Sequence, residues 1–218
     1  EVVLTWVIAL IPFAVFGVVA RAVGEHGFAP LKGLGVYVGV GLLGLALHIL
    51  LTYQAWLVVF AKRSLVSFWR EAKEPVIYAM GANSRLATRP VARPGISKQS
   101  STLGAVVGTN FNNDGIILYE GMAVLFVAQA SGIELSVGQQ IVAAASCMVA
   151  AMGVAGVPEA GFISLALVLN TVGLPIEILP LLLTVDWIIA RARSVTNVLS
   201  DMMLSILVDG PPAKPDGH

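Results

Sequence analysis

The sequence predicts an all-α membrane protein, built from transmembrane helices and two re-entrant helical hairpins in inverted repeats. Of its 218 residues, 57% are hydrophobic and 12% are charged, whereas a soluble domain carries about 25% charged residues. Several apolar runs reach the roughly 20 residues that a helix needs to cross a bilayer. Two further apolar stretches are interrupted midway by proline and glycine. Their arms are too short to span, so each stretch fits a hairpin that enters and leaves on the same side.

Composition excludes several classes of protein. The formal net charge is zero, which gives no electrostatic support for binding nucleic acid. The single cysteine, Cys147, excludes an internal disulfide and a thiolate metal cluster. The sequence has no motif that pairs a nucleophile with a base, so we expect no enzymatic activity and no organic cofactor. Because the chain enters an apolar run directly after Glu1, we expect it to be the C-terminal part of a longer polytopic protein.

The first part of the chain predicts two transmembrane helices followed by a hairpin. The apolar run over residues 3–20 is just long enough to span, and a longer helix is expected over residues 33–60. His48 lies inside the second helix, where we expect it to be bonded within the bundle. A polar connector follows at residues 61–74. Three prolines and a polar centre interrupt residues 75–98, which predicts the first re-entrant hairpin.

Residues 101–129 are long enough to span but contain a polar interruption at membrane depth. Its members are all poor helix formers: Asn110, Asn112, Asn113, Asp114 and Gly115. We therefore expect an unwound segment whose carbonyl and side-chain oxygens suit a hard cation such as Na⁺. A soluble loop between two short helices is the alternative.

Residues 136–173 predict the second hairpin, and residues 174–208 predict the last helix. Glycines and a proline between residues 152 and 161 form a flexible tip. The last helix carries four polar residues on one face, because their steps are seven, four and four residues: Asp186, Arg193, Asn197 and Asp201. Ionisable groups at membrane depth usually mark a substrate or ion path. Residues 209–218 are expected to be a disordered tail.

The distribution of Lys and Arg predicts the orientation of the hairpins. Residues 61–74 and 85–98 hold most of the basic side chains, whereas residues 130–140 hold none. By the positive-inside rule, the first two segments face the cytoplasm and the third faces out. The hairpins then enter from opposite sides, so residues 75–129 and 136–208 are expected to be inverted structural repeats.

Four motifs carry a resemblance to the dicarboxylate/amino acid:cation symporter family, the glutamate transporter-like proteins. They are NSRLATRPV at 83–91, NNDGIILYE at 112–120, AGVPEAG at 155–161 and VDWIIARARSVTNVLSD at 185–201. The resemblance implies a mobile transport domain at residues 33–208, which slides against a trimeric scaffold. Residues 1–32 would form a scaffold-type helix and loop. It also implies contact with membrane lipid and a homotrimer in the full-length protein, and we expect an integral, multi-pass protein of a bacterial inner membrane.

The resemblance also implies a set of site residues. Arg193 would grip a substrate carboxylate, although an ion pair with Asp186 is the alternative. The implied substrate-binding residues are Arg193, Asn197, Ser194, Ser84, Val157 and Gly161. The implied Na⁺ ligands are Gly108, Asn112, Asn197 and Asp201, with Asp114 at a second cation site. Glu120 matches a position that carries a proton in some members.

Departures from the family pattern bear on the substrate. The family has an Asp one turn before Arg193, where this chain has Ala190, so no negative charge is left there to meet an ammonium group. The Met and Thr of the Asn-Met-Asp-Gly-Thr motif are Asn113 and Ile116. In the first hairpin, basic or apolar side chains replace expected residues: Arg85, Leu86 and Arg89.

The sequence therefore predicts a symporter coupled to Na⁺, H⁺ or both that imports a small carboxylate, with a C4-dicarboxylate favoured because of Ala190. An acidic or other amino acid carried with sodium is one alternative. A truncated fragment that does not transport is another.

Overall fold

The computed structural model describes residues 29–82, 96–153 and 160–210, together with scattered positions between residues 6 and 24. Over these ranges the regular structure is helical, so the prediction of an all-α protein is confirmed. From residue 29 onward the elements are α1 (Ala29–Leu47), a π-helical turn (His48–Tyr53), α2 (Gln54–Val59), α3 (Leu65–Ala82), α4 (Lys98–Phe111), α5 (Asp114–Ala130), α6 (Val137–Met152), α7 (Ala160–Thr171) and α8 (Leu179–Asp209). The predicted hairpin tips, with Ser84, Arg85, Leu86, Arg89 and Val157, lie outside the described residues.

The helix predicted over residues 33–60 is present as one helical segment. It is made of α1, the π turn and α2 in succession. Within the described ranges, Lys32–Val59 is the one helix that is both long and apolar enough to cross a bilayer. Val137–Met152 and Gly161–Thr171 are apolar but shorter, and the re-entrant hairpin stays a prediction. The inverted-repeat arrangement stays a prediction.

Helix α3 begins ten residues before the predicted start of the first hairpin at residue 75. Ser64 starts it, because its carbonyl accepts from the Phe68 N–H at 3.1 Å and its hydroxyl accepts from the Ser67 N–H at 3.5 Å. Pro75 lies inside this helix. A proline there removes one backbone hydrogen bond, yet the helix continues to Ala82. Most of the predicted connector at 61–74 is therefore helical. The prediction placed the start of the hairpin at Pro75 because a proline usually interrupts a helix.

The break in the helix predicted over residues 101–129 is narrower than expected. Only Asn112 and Asn113 lie between α4 and α5, whereas the sequence predicts an unwound segment from residue 110 to 115. The Asn113 carbonyl accepts from the N–H groups of Ile116 and Ile117 at 2.9 and 3.0 Å, so the helix restarts at once. Asp114 sits in the first turn of α5, where negative charge is favourable.

The last helix begins five residues after its predicted start at residue 174. Gly173 has a φ of +73°, a conformation that glycine adopts readily and that ends the preceding helical turn. Pro180 lies in the first turn of α8, where its missing N–H costs no hydrogen bond. At the other end, Gly210 with a φ of +81° follows Asp209. The predicted tail from residue 211 onward lies outside the described residues.

Helix α8 lies at the centre of the bundle and packs against α1, the π turn, α3, α4 and α5. Its buried side chains include a polar set: Asp186, Ser194, Thr196, Asn197, Ser200, Asp201 and Ser205. Large apolar side chains elsewhere are exposed, among them Val36, Leu43, Val149, Ile163 and Leu167. Polar groups inside and apolar groups outside are the arrangement expected for a protein surrounded by lipid.

Two glycines let α4 approach α8 closely. A Cβ atom at Gly104 would lie 2.7 Å from the Ser205 Cα, and one at Gly108 would lie 2.4 Å from the Asp201 Oδ1. Glycines four residues apart share one helix face, and interfaces of this kind between membrane helices are common. The close approach brings the end of α4, just before the break, onto the polar face of α8.

Candidate functional site

Arg193 is the cation of the α8 polar face, and 12% of its side chain is exposed. Its Nη2 lies 3.1 Å from the Asp186 Oδ2, so the ion pair left open by the sequence is present. The guanidinium carbon lies 4.0 Å from the centre of the Tyr119 ring, a cation–π contact. The charge is therefore held on one side by a carboxylate and on one face by an aromatic ring.

The second terminal nitrogen of Arg193 has no such partner. Its Nη1 is buried and makes no hydrogen bond to any described residue. Gly161, at the start of α7, faces it: a Cβ atom there would lie 3.2 Å from Nη1. A buried, unpaired guanidinium N–H is costly, and the planar fork is suited to a carboxylate oxygen. Arg193 and Gly161, both predicted site residues, thus lie together around an unused donor.

Asn197 lies one helical turn beyond Arg193 and is joined to the broken helix. Its Oδ1 accepts a hydrogen bond of 2.9 Å from the Gly115 N–H. A Cβ atom at Gly115 would lie 2.7 Å from the Arg193 carbonyl oxygen, so only glycine fits without movement. Ser194, also a predicted substrate residue, is buried beside them.

Two predicted sodium ligands near the helix break, Asn112 and Gly108, lie against Asp201. It is 1% exposed, the Asn112 Nδ2 lies 3.5 Å from its Oδ1, and Gly108 lies against the same oxygen. A carboxylate, an amide side chain and the backbone of a glycine are the oxygen donors that hard cations prefer. The three residues therefore fit a sodium ion chemically.

Asp114 is bonded differently. Its Oδ2 accepts from the Tyr53 hydroxyl at 2.9 Å and from the Ser200 hydroxyl at 2.8 Å. The His48 Nε2 lies 3.3 Å from the same oxygen. His48 is thus bonded within the bundle, as the sequence suggested.

The π turn explains how His48 and Tyr53 reach one atom. In a regular α-helix, residues five apart point about 140° away from each other. The wider π turn, with its i to i+5 hydrogen bonds, brings both side chains to the same side. Their rings meet edge to face with centroids 4.8 Å apart. Sequence reasoning missed Tyr53 because no pattern marks a π turn; Ser200 lies seven residues after Arg193, which places it on the polar face and could have identified it.

Glu120 is fully buried. The Ser164 hydroxyl donates to its Oε1 in a short hydrogen bond, and its Oε2 is buried without a hydrogen-bond partner among the described residues. Ser164 also lies 3.1 Å from the Gly161 carbonyl oxygen. The predicted proton site is therefore connected through one serine to the glycine that faces Arg193.

Asn113 connects the break to α6. It is 1% exposed, and its Nδ2 donates to the Ala151 carbonyl oxygen at 2.7 Å. Ala151 lies in the last turn of α6, where carbonyls have no partner within the helix. A thioether, which the family pattern has at this position, cannot donate such a hydrogen bond.

Outside the apolar region, Asp209 joins the ends of three segments. Its Oδ2 lies 3.1 Å from the Arg63 Nη2, and its Oδ1 accepts from the Ser97 N–H at 2.9 Å. Ser97 also caps α4 through the Ser100 N–H. The Ser97 backbone N–H holds the pKa of the Asp209 carboxyl below its usual value, with a smaller contribution from Arg63.

Comparison with known proteins agrees with the motifs. Residues 1–210 match the sodium:dicarboxylate symporter family. An excitatory amino acid transporter of Caenorhabditis elegans is 34% identical over 200 residues, which cover 88% of this chain and 40% of the relative. Excitatory amino acid transporter 3 of Mus musculus is 34% identical over 78% of this chain and 34% of its own length. Excitatory amino acid transporter 1 of Homo sapiens is 31% identical over 81% of this chain and 34% of its own.

The chain thus spans 34–40% of the length of these relatives. All three are animal proteins, so the expectation of a bacterial inner membrane has no support from them.

Proposed function

Because the chain belongs to the sodium:dicarboxylate symporter family, whose members are integral membrane transporters rather than enzymes, we propose that it forms the substrate- and cation-binding part of a sodium-coupled carrier of acidic amino acids. In the complete carrier we propose that it moves as a transport domain against the scaffold of a homotrimer. The relatives it resembles are named as excitatory amino acid transporters, which favours this substrate over the C4-dicarboxylate predicted from the sequence.

The observation that carries the proposal is the unused donor of Arg193. The Arg193 guanidinium has one terminal nitrogen bonded to Asp186, and the other is buried and unpaired among the described residues, so it is poised to donate a hydrogen bond to one oxygen of a carboxylate. Charge-assisted hydrogen bonds of this kind are about twice as strong as neutral ones. Asn197 and Ser194 lie next to it along α8, where they would contact the rest of the substrate.

Sodium would bind at Asp201, with Asn112, Asn197 and the backbone of Gly108. Asp201 is 1% exposed, and a buried carboxylate at membrane depth usually marks an ion path. A proton would bind at Glu120, whose second oxygen lacks a hydrogen-bond partner among the described residues. Under that proposal, Glu120→Gln abolishes the pH dependence of transport and leaves sodium binding intact; an unchanged pH dependence would remove Glu120 from the mechanism.

A C4-dicarboxylate is the second candidate substrate, and Ala190 favours it. Ala190 is buried one turn before Arg193 and offers no negative charge to an ammonium group. A substrate with two carboxylates and no amino group avoids that mismatch, because an unpaired buried ammonium is costly.

The test is direct binding to the purified chain in detergent, with aspartate and succinate each titrated in sodium and in choline buffer. The proposal expects aspartate to bind more tightly than succinate, and only in sodium. Tighter binding of succinate would favour the dicarboxylate, and equal binding in the two buffers would contradict sodium coupling. Arg193→Gln should weaken the binding of either ligand by roughly 10–100-fold.

A measurement of substrate uptake tests whether this chain alone transports its substrate. Uptake into proteoliposomes that contain the 218-residue chain should be compared with uptake by a full-length family member. Binding without uptake would support the alternative of a fragment that does not transport.

A further inference from the structure

Helix α3 packs against α8 through one of its faces. The buried side chains of that face are Phe68, Ala72 and Ala79, whose steps of four and seven residues are expected for one side of an α-helix. They belong to the same apolar cluster as Leu199 and Met202 of α8. The opposite side of α3 is therefore turned away from the bundle, and we call it the outward face.

The outward face of α3 combines apolar and basic side chains. It carries Val66, Arg70, Lys73 and Ile77, whose steps of four, three and four residues place them on one side of the helix, opposite Phe68. Val66 and Ile77 are 69% and 62% exposed, and both basic side chains are exposed. Charged residues are depleted in the core of protein interfaces. This combination suits the boundary between hydrocarbon and lipid headgroups, where long basic side chains reach the polar layer.

Exposed aromatic residues mark the same end of the bundle. Trp56 lies in α2, Phe60 follows α2 directly, and Trp69 lies in α3 one turn before Lys73. The Trp69 indole N–H donates to the Gln54 Oε1 at 3.2 Å, which joins α2 to α3 at this corner. Tryptophan is enriched where a membrane meets water. The corner is therefore the level at which we expect the chain to meet the headgroups.

The other charges of this region leave the outward face positive. Glu71 and Glu74 lie to one side of the face, and Glu71 is half-buried. Glu74 is exposed four residues after Arg70, where it offsets part of that charge. Arg63 is already held in an ion pair at 3.1 Å. Arg70 and Lys73 thus give the outward face an excess of positive charge.

We propose that the outward face of α3 binds the headgroups of anionic phospholipids. Arg70 and Lys73 contact the phosphate, and Val66 and Ile77 lie against the acyl chains beside it. The negative surface of the cytoplasmic leaflet favours each nearby basic side chain roughly fivefold in affinity. The positive-inside rule predicts that residues 61–74 lie on that side. The proposal goes beyond the carrier function and does not depend on the substrate that the chain carries.

The experiment is quenching of tryptophan fluorescence by lipids with brominated acyl chains, in vesicles that contain the 218-residue chain. Trp69 reports on α3 once Trp6, Trp56 and Trp187 are replaced by Phe. Mixing brominated phosphatidylglycerol with phosphatidylcholine gives the relative affinity of the two lipids next to Trp69. We expect phosphatidylglycerol to bind at least about threefold more tightly at low ionic strength, and the preference to fall in high salt.

Single substitutions locate the preference on α3. Arg70→Gln and Lys73→Gln should each lower it by roughly threefold to fivefold, and Glu74→Gln should raise it. Lys32→Gln is the matched control, because Lys32 is exposed at the far end of the Lys32–Val59 helix, about 40 Å from the corner. Equal affinity for the two lipids in the parent chain, or a loss at Lys32 as large as that at Lys73, would overturn the proposal.

Inorganic phosphate distinguishes a lipid headgroup from a free anion. At matched ionic strength, phosphate should displace phosphatidylglycerol no better than chloride does, because the apolar side chains beside the cations contribute to the binding of lipid alone. Displacement by phosphate beyond that by chloride would indicate a site for free phosphate and would overturn the assignment to lipid.

Discussion

The backbone N–H of Gly115 donates a 2.9 Å hydrogen bond to the Asn197 Oδ1, and this bond joins the restart of the broken helix to the centre of the last helix. Because Gly115 has no side chain, its backbone also lies close to the Arg193 carbonyl oxygen, which a Cβ atom at Gly115 would approach to 2.7 Å. Both partners lie next to residues with proposed roles, since Asp114 precedes Gly115 and Arg193 lies one turn before Asn197. The spacing of substrate and cation groups therefore depends on this contact.

Gly115→Ala should destabilise the protein and weaken substrate binding. The new Cβ would lie 2.7 Å from the Arg193 carbonyl oxygen and 3.0 Å from the Asn197 Oδ1, and overpacking of this kind costs about 1–3 kcal/mol. Thermal unfolding in detergent, together with aspartate titration, measures both effects. The control is Gly121→Ala on the same helix, where nothing lies within 4 Å of the new atom. That variant should be neutral or more stable, and equal losses at the two positions would contradict the close-contact argument.

Arg193→Gln should weaken carboxylate binding by roughly 10–100-fold, since a hydrogen bond to a charged group contributes about 1.5–3 kcal/mol. The affinity of Arg193→Lys should lie between those of the parent chain and of Arg193→Gln, because lysine keeps the charge and loses the planar fork. Direct titration with aspartate and succinate gives the affinities. Arg191→Gln is the matched control: Arg191 donates to the Trp187 carbonyl oxygen at 2.6 Å and lies over the Trp187 ring. Equal losses at Arg191 and Arg193 would argue against a specific substrate contact.

Asn113→Leu should lower stability by about 1–3 kcal/mol, because it removes a donor from a buried carbonyl and places no new one there. Asn113→Asp should lower it further, since a carboxylate would face the Ala151 carbonyl oxygen. Chemical or thermal unfolding measures the difference. Asn170→Leu is the control, because Asn170 is exposed on α7 and its replacement should have little effect. A neutral Asn113→Leu would mean that the tether to α6 does not contribute to stability.

Ala190→Asp should raise the affinity for aspartate relative to succinate. The new carboxylate would lie one turn before Arg193, where it could meet the substrate's ammonium group. The ratio of the two dissociation constants is the measurement, with Ala190→Asn as the uncharged control. A ratio that does not move toward aspartate would show that position 190 does not contact the amino group.

Asp209→Asn should reduce stability at neutral pH, and the reduction should disappear in acid. The pKa of Asp209 is lowered in the folded state, so its contribution is present above the unfolded value of about 3.9 and is lost as the pH falls through the lower folded value. Melting temperatures from pH 7 down to pH 3 test this. Glu177→Gln, at an exposed carboxylate before α8, is the control. A difference between parent and Asp209→Asn that does not shrink between pH 5 and pH 3 would contradict the role of the charge.

The sequence predicted the helical segments because each is marked by local composition. Apolar runs indicated α1, α6 and α7, and the cluster of Asn, Asp and Gly indicated the break. The polar face of α8 followed from spacing alone: Asn197 is buried, and Arg193, one turn before it, has 12% of its side chain exposed.

The features that sequence reasoning missed depend on distant parts of the chain. Pro75 suggested a helix boundary, yet the capping by Ser64 and the helix-forming residues after it outweigh one lost hydrogen bond. Tyr53 and Ser200 meet Asp114 only because a π turn and a close helix contact bring them there. Neither the π turn nor the close helix contact is marked in the local sequence, because an analysis of hydrophobic periodicity assumes a regular helix.

The π turn makes one side of the bundle sensitive to chain length rather than to side-chain chemistry. It is in effect an α-helix that carries one surplus residue. Deleting Leu50 or Leu51, both exposed, would restore regular winding and place His48 and Tyr53 four residues apart, about 40° from each other around the helix. Inserting one residue there instead would place the two rings six residues apart, about 120° from each other in a regular α-helix, which would separate two of the three groups around Asp114 while leaving every one of them in the sequence.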